Sequence, residues 1–382
     1  MRGLLTTTFI AICVAATCAT ASALPNGSAV AGTSQANSDV RAVVQSKSRI
    51  FIGGSFTSVN GKAKHRIAAL RAGDGKLIRT WRAQANGQVY ALQLSRDGSR
   101  LYAAGKFTKV NGFARRHVVA LSASSGKVVR SWHPQADGNV RSLALRKRTL
   151  YLGGDFKTVA GKHRVRLAAV STRTGRTGRW HAFANRAVWS LAISGKRLMA
   201  GGDFTKVAGQ SGKLRTDRPF FASFNAVRKA KVMSFNPGPG FPVRAIKTAT
   251  GVVYLGTADE CGTGQNCNSV LAYSTATGNQ TWRCQTNGDV HSLARAGGVL
   301  YAGGHWTALV DGPCSASARV RVMALDRTSG AALNWHPGTN GFGILSLSAR
   351  SNRLALGGSF SKVTGADHHN FAEFKGNLGA TS

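Results

Sequence analysis

Apolar and polar residues alternate in short stretches along most of the chain. One such stretch is Val140-Arg141-Ser142-Leu143-Ala144-Leu145, and the next, residues 150–156, ends in paired glycines. A third apolar stretch, residues 167–170, follows, and then a segment that carries Trp180. A period of two with β-branched residues, interrupted by turn residues, is typical of β-strands, and no stretch of helical period competes. We therefore predict an all-β fold built from four-stranded units.

The glycine-ended strand recurs through the chain, for example as Gly153-Gly154-Asp155-Phe156. Its copies begin at residues 53, 104, 153, 201, 256, 303 and 357, and the fifth copy has diverged. Repeats of about fifty residues are typical of β-propeller blades. The sequence therefore predicts a single seven-bladed β-propeller with four-stranded blades. We place its units at residues 40–88, 89–139, 140–187, 188–242, 243–289, 290–343 and 344–382 plus 26–39.

Two features of the repeat predict how the blades pack. Paired glycines indicate that neighbouring backbones approach too closely for a side chain. One large aromatic residue per unit, most often tryptophan, is expected to pack between adjacent blades. These aromatic residues are Trp81, Trp132, Trp180, Phe235, Trp282 and Trp335.

The ends of the array predict how it closes. Residues 36–40 match residues 85–89, which link a fourth strand to the next first strand. The segment around residues 26–35 is therefore expected to be an outer strand, whereas the last unit stops after a third strand at residues 371–374. The N-terminal strand would complete the seventh blade and remove two free sheet edges.

The segment from Gly105 to Gly112, of the form Gly-x-Phe-Thr-x-Val-Asn-Gly, resembles the secreted actinobacterial propeller proteins with delta-60-type repeats. This resemblance covers almost the whole chain after the first residues. It implies a propeller fold and an extracellular location, and it implies no settled activity.

A second resemblance is partial. The segment from Ala272 to Trp282 is similar to the tryptophan-docking repeat of quinoprotein dehydrogenases. Those enzymes need carboxylates that hold calcium beside the quinone, whereas most of the few acidic residues of this chain fall at repeat turns. The resemblance therefore favours a packing role for the motif, and we expect neither a cofactor nor a metal ion.

The first residues have the pattern of an export signal. Arg2 precedes an apolar run from about residue 9 to residue 19, and Ala21-Ser22-Ala23 supplies small residues for cleavage. We place the signal at residues 1–23 and the propeller at 24–382, with no transmembrane segment. Lipidation at Cys18 is the alternative, although Thr17 is a poor residue before such a cysteine.

Composition adds a strong charge to this picture. The chain has 51 lysines and arginines, 14 acidic residues and a formal net charge of +37. Such a charge opposes self-association and attracts polyanions. We expect a monomer whose partner is a protein or an anionic polymer, such as a cell-wall polymer, an acidic polysaccharide or a nucleic acid. A basic surface that serves only solubility is the plain alternative.

Four cysteines remain after the signal, and an even number in an oxidising compartment favours two disulfides. The economical pairing is Cys261–Cys267 with Cys284–Cys314, although four cysteines allow three connectivities. All four fall in the fifth and sixth units.

The loops between second and third strands are basic in six units, and in a propeller they share one face with the linkers between blades. A ring of arginines there would suit bidentate contact with phosphate, sulfate or carboxylate. Turns of the opposite face, such as residues 146–148, are basic as well. The candidate binding residues are His65, Arg66, Arg116, His117, Arg164, Arg166, Arg215, Arg218, Arg321, His368 and His369.

The fifth unit departs from this pattern with Asp259 and Glu260 in the equivalent loop, and we include both as candidate binding residues. No catalytic residue can be assigned. Our first hypothesis is a secreted, non-catalytic binding module for an anionic extracellular polymer or cell-surface partner. The alternatives are a lyase or hydrolase that acts on polysaccharides on the same face, and a protein-interaction scaffold.

Overall fold

The computed structural model describes residues 24–210, 216–227, 229–258, 267–315 and 319–378. Within these ranges all regular elements are β-strands, and no helix occurs. This confirms the all-β prediction. The strands are apolar on both faces because both faces of each sheet are covered: in Thr149–Gly154, the five residues after Thr149 are all buried.

Seven sheets of the described part contain three or more strands, and we number them 1 to 7 along the chain. Each begins with a strand of the alternating kind. These first strands are Val40–Gln45, Val89–Leu94, Val140–Arg146, Val188–Ser194, Val243–Ala249, Asp289–Ala296 and Gly343–Arg350.

The second strand of each sheet is the glycine-rich one, and it pairs with both the first and the third strand in antiparallel fashion. The second strands are Arg49–Gly54, Arg100–Gly105, Thr149–Gly154, Arg197–Gly202, Val252–Thr257, Val299–His305 and Arg353–Ser359. The third strands are Ile67–Arg71, Val118–Ser122, Arg166–Ser171, Phe221–Asn225, Asn268–Ser274, Val322–Asp326 and Phe371–Lys375.

A regular fourth strand is present only in sheets 3 and 5 of the described part, as Thr177–Ala184 and Gln280–Thr286. In four other sheets the corresponding segment makes a single bridge, such as Leu121 with Val128. In sheet 2, the backbone turns where Trp132 donates its N–H to Val129 O at 3.1 Å, and Pro134 then lacks a donor for the ladder.

Short hairpins connect the second and third strands at the outer rim. They pair Ser58–Val59 with Lys62–Ala63, Lys109–Val110 with Phe113–Ala114, Thr158–Val159 with Lys162–His163, Lys206–Ala208 with Thr216–Asp217, and Lys362–Val363 with Ala366–Asp367. In sheet 6, Leu309–Asp311 pairs with the fourth strand of sheet 5.

The sheets follow one another around a ring. The first strand of each sheet contacts the first strand of the next, and the first strand of sheet 7 contacts that of sheet 1. Serine side chains connect neighbours: Leu191 N donates to Ser142 Oγ at 2.9 Å, and Val43 N donates to Ser346 Oγ at 2.9 Å.

The first glycine of the pair lies where two sheets meet, and the second lies against the backbone that enters its own sheet. A Cβ on Gly153 would stand 2.7 Å from Val188 Cγ1 of sheet 4, and one on Gly154 would stand 2.1 Å from Asn139 O. Neither position has room for any side chain, because both distances are far below van der Waals contact.

The tryptophans pack between adjacent sheets, which confirms their predicted role. Trp132 is fully buried beside Tyr102, with ring centroids 5.1 Å apart, and belongs to one apolar cluster with Leu143 and Ala168 of sheet 3. The indole N–H of each repeat tryptophan donates to a carbonyl at the end of the third strand of the next sheet, except that of Trp335, which donates to the N-terminal segment. The bonds run from Trp81 to Ala123 (3.1 Å), Trp132 to Ser171 (2.9 Å), Trp180 to Asn225 (2.7 Å), Trp282 to Arg327 (3.2 Å) and Trp335 to Asn26 (3.2 Å).

The N-terminal segment lies along the outer edge of sheet 7. Asn26 N donates to Lys375 O and Val30 N donates to Glu373 O, both at 2.7 Å. Leu24 and Ala29 also join the apolar cluster around Trp335. The segment thus occupies the place expected for the closing strand, although its backbone is not a regular strand.

Candidate functional site

The ring has two faces. The turns between first and second strands meet on one of them, because residues 46–48, 95–99, 147 and 350 line a common cleft. We call this the turn face. The linkers between sheets and the connections from second to third strands lie at the opposite strand ends, on what we call the linker face. The basic loops singled out from the sequence are on the linker face.

One repeated position of these loops holds a buried or half-buried cation that bonds to backbone carbonyls. Lys64 Nζ donates to Trp81 O at 2.8 Å, Arg115 to Arg130 O at 3.1 Å, and Arg319 to Leu333 O at 3.1 Å. Burial lowers the pKa of all three side chains. Arg164 and Arg218 donate to carbonyls in the same way, whereas His368 Nδ1 contacts Thr33 Oγ1 at 3.2 Å.

A second repeated position, two residues further on, has a left-handed backbone. The φ angles are 70° at Arg66, 66° at His117, 64° at Arg166 and 65° at Arg321. Their side chains also contact the backbone, for example Arg166 with Ala184 O at 3.1 Å and His117 Nδ1 with Gly105 O at 3.0 Å. These contacts stabilise a conformation that costs free energy for a residue with a Cβ.

The structure therefore gives most of the candidate binding residues a local bonding partner. His65, Arg116 and His369 are exposed on the linker face. Arg215, Asp259, Glu260 and Cys261 lie outside the described residues.

The cysteines agree in part with the economical pairing. Cys284 and Cys314 form a disulfide that connects sheet 5 to the loop of sheet 6. Cys267 is also disulfide-bonded, and its expected partner Cys261 is outside the described ranges. A disulfide is compatible with exposure to an extracellular environment.

A different set of residues converges at the centre of the linker face. Every first strand contains a β-bulge directly after its first buried valine or isoleucine, as between Val40 and Ala42. A bulge turns the extra residue away from the regular alternation, and here all the bulges lie around the same central opening. The bulge residues are Arg41, Tyr90, Arg141, Trp189, Arg244, His291 and Leu345.

We call these residues the mouth, together with Asp39, Asp155, Asp203, Asp289, His305 and Phe342, which contact them. Three of its arginines form ion pairs with aspartates. The N–O distances are 2.7 Å for Arg41 with Asp39, 2.7 Å for Arg141 with Asp155 and 2.6 Å for Arg244 with Asp203.

Trp189 connects sheets 3, 4 and 5 at the mouth. The guanidinium carbons of Arg141 and Arg244 lie 3.9 and 4.2 Å from its ring centroid, and its Nε1 donates to Asp203 Oδ2 at 2.7 Å. Cation–π contact and the aspartates together hold this stack rigidly. Arg141 also lies 5.6 Å from the ring of Tyr90 in sheet 2.

Histidines and an exposed phenylalanine form the other side of the mouth. The ring of His305 stacks on Phe342 with centroids 4.3 Å apart, and His291 lies 6.1 Å from the same ring. Burial lowers the pKa of His291 to about 4, and the nearby His305, Arg244 and Arg41 add to this effect. His291 is therefore neutral at neutral pH.

The turn face carries two adjoining clefts that share Arg96, Asp97 and Lys147. Five exposed cations of these clefts make no side-chain hydrogen bond or ion pair within the described residues; they are Lys47, Arg96, Lys147, Arg148 and Arg173. A sixth exposed cation, Arg350, donates to Gln45 O at 3.4 Å. The single acidic residue of the clefts, Asp97, accepts hydrogen bonds from Ser95 and Ser99 at 2.5 and 2.9 Å. Phe51 and Tyr102 line the clefts, yet each is only 1% exposed.

The mouth was not predicted from the sequence, because the prediction used the positions that the repeats have in common and the mouth lies at a position that varies. The signal that could have found the mouth is the residue directly after the first valine of each unit. That position varies among arginine, tyrosine, tryptophan, histidine and leucine, while its neighbours are nearly constant.

The described residues contain no group of three or more His, Cys, Asp or Glu side chains that could hold a metal ion. None of the elements in the described ranges is a helix with the length and apolar character needed to cross a membrane.

Solved structures provide the comparison for the ring of sheets. The WD40 β-propeller domain of Doa1 has a TM-score of 0.59 at 13% identity, over 90% of this chain and 95% of that one. The chain is a β-propeller. A chain from the mitotic checkpoint complex has a TM-score of 0.59 at 12% identity, over 98% of this propeller and 97% of that chain. The computationally designed Ika8 protein has a TM-score of 0.56 at 13% identity, over 89% and 97%.

No sequence family matches the propeller, and no curated protein has a similar sequence. The likeness to solved structures is therefore one of fold.

Proposed function

We propose that this chain is a secreted, seven-bladed β-propeller that binds an anionic polymer without chemical conversion. The export-signal pattern, the disulfide and the ring of sheets support the location and the architecture. The cations of the turn face support the binding function.

The observation that carries the proposal is the pair of basic clefts on the turn face. Lys47, Arg96, Lys147, Arg148 and Arg173 are exposed and make no described ion pair, so their charge is available to a ligand. Most arginines of the described linker-face loops, by contrast, already donate to backbone carbonyls. Guanidinium groups in an acid-poor cleft suit bidentate contact with phosphate, sulfate or carboxylate groups.

The clefts offer charge without an aromatic stacking surface, because Phe51 and Tyr102 are almost completely buried. Stacking of unpaired bases would need exposed aromatic rings. We therefore expect recognition of the charged backbone of a polymer, with little dependence on its other groups.

The test is binding to heparin, duplex DNA and a teichoic-acid-like polymer at increasing salt. Wild-type affinity should fall steeply with salt, because bound cations release counterions. A variant in which Lys47, Arg96, Lys147 and Arg173 are all changed to Gln should bind more weakly at low salt. For a nucleic acid, its slope of log K against log salt should be smaller by about 0.7–0.9 for each phosphate that the variant no longer neutralises.

The matched control changes four exposed cations of the linker face, Lys62, Lys109, Arg116 and Lys162, to Gln. It has the same net charge as the turn-face variant. Equal losses in the two variants would show that binding follows total charge and would contradict the assignment to the turn face. No binding to any of the polymers at low salt would contradict the function itself.

A further inference from the structure

The mouth differs in charge from the rest of the molecule. The chain has a formal net charge of +37, yet four of its 14 acidic residues, Asp39, Asp155, Asp203 and Asp289, lie at the mouth. Three arginines balance three of these aspartates. Lys106 occupies in sheet 2 the repeat position that Asp155 occupies in sheet 3, and it adds one further positive charge. The charges of the three arginines and Lys106 therefore balance those of the four aspartates, and His291 is neutral. A polyanion has no electrostatic reason to bind there.

The mouth also offers hydrogen-bonding groups of both kinds. The three paired arginines are 21–37% exposed and the aspartates 24–36% exposed. A guanidinium group has five N–H donors and a carboxylate accepts several hydrogen bonds, so one ion pair leaves capacity on both partners. The Trp189 stack fixes Arg141 and Arg244 before any ligand arrives, which lowers the entropic cost of binding.

An aromatic ring is exposed beside these groups. Phe342 is 49% exposed, and it is one of the few large apolar side chains of the described part that are exposed. Stacking with His305, with a 20° angle between the rings, holds it in place. Such a ring is a surface on which the C–H face of a sugar can bury apolar area while the hydroxyl groups bond to the polar neighbours.

Variation among the repeats points to the same place. The bulge residue is arginine in sheets 1, 3 and 5 and a different residue in each of the other four sheets, although the residues that flank it are repeated. Packing of the sheets requires the repeated residues, and it does not require five different residue types at the seven bulge positions.

We propose that the mouth is a second binding site and that its ligand is an uncharged saccharide. Hydroxyl groups both donate and accept, which matches the alternating N–H groups and carboxylates, and the sugar ring stacks on Phe342. This site is separate from the turn-face clefts, and either proposal can fail without the other.

The experiment measures binding of neutral oligosaccharides of glucose, N-acetylglucosamine, xylose and mannose to the full chain by calorimetry at 50 and 500 mM salt. We expect at least one series to bind with the same affinity at both salt concentrations. Phe342→Ala should weaken this binding about tenfold, because a stacked ring is worth about 1.4 kcal/mol or more. Phe342 is exposed, so its replacement leaves the buried packing intact.

Two controls complete the test. Phe113→Ala removes an aromatic ring from a rim hairpin of the same face and should leave saccharide binding unchanged. The turn-face variant with four Gln substitutions should also bind the saccharide normally. The proposal is overturned if no neutral oligosaccharide binds at millimolar concentration, if Phe342→Ala binds as well as wild type, or if only acidic saccharides bind and salt abolishes their binding.

Discussion

The half-buried His291 at the mouth makes the stability of the propeller depend on pH in a defined direction. Burial lowers the pKa of His291 from 6.5 to about 4, and Arg41, Arg244 and His305 add repulsion on the protonated form. The unfolded chain therefore takes up a proton near pH 6.5, whereas the folded chain does so only near pH 4. His291 thus favours folding above pH 6.5, and this contribution is lost as the pH falls towards 4.

The size of this effect follows from the two pKa values. Between pH 7.5 and pH 5 the unfolded state gains almost a full proton and the folded state gains little, so the loss is about 2 kcal/mol. The change to make is His291→Gln, which keeps a polar side chain and cannot titrate. Asp289 lies 3.9 Å from His291 Nε2, and its attraction for the protonated ring would reduce the effect.

The assay is urea unfolding at pH 7.5 and pH 5 at constant ionic strength. Wild type should lose about 2 kcal/mol more than His291→Gln on acidification. His133→Gln, which replaces an exposed histidine in another cleft, should behave as wild type. If His291→Gln loses as much stability as wild type, the histidine is not held neutral in the folded protein.

Three further predictions concern the packing of the sheets, and urea midpoints test each of them. Trp132→Phe removes the donor to Ser171 O and should cost about 1–3 kcal/mol, whereas Trp132→Ala should cost about 3–5 kcal/mol; no loss of stability in Trp132→Phe would mean that the bond contributes nothing. Burial raises the pKa of Glu373, so the stability that its protonated form contributes to the folded state is lost as the pH rises above 4.5. Glu373→Gln cannot titrate and should therefore lose less stability than wild type between pH 4.5 and pH 7. The Cys284–Cys314 disulfide closes a loop of 30 residues, so replacement of both cysteines by serine should cost about 3–4 kcal/mol, and a smaller loss on chemical reduction of wild type would contradict this value.

Much of the architecture could be predicted because the repeat records packing. Gly153 occurs where the neighbouring sheet leaves no space for a side chain, and Trp132 occurs where the space between sheets is large. Both residue types recur at the same positions in most of the repeats, so the sequence reveals them. The regular fourth strand could not be predicted sheet by sheet, because a single turn at the tryptophan decides between a ladder and an isolated bridge.

The candidate site was harder to predict, for a physical reason. Arg166 and Arg321 are residues typical of an anion site, but each donates to a backbone carbonyl from a left-handed backbone conformation that the local sequence does not predict. The bulge residues could not be predicted as a site because they share no common residue type. Arg41 and Trp189 are unlike each other in sequence, and only the ring brings them to the same opening.

The indole bonds between sheets have a consequence for the synthesis of the chain. The bonding partners of Trp81, Trp132, Trp180 and Trp282 lie in the sheet that is synthesised next, whereas the partner of Trp335 is Asn26, which is synthesised before all seven sheets. A growing chain is therefore an open arc with an apolar side still uncovered, and the contact between residues 26–30 and 371–375 comes last. We expect slow, late completion of folding, and a need for protection from aggregation until that final contact forms.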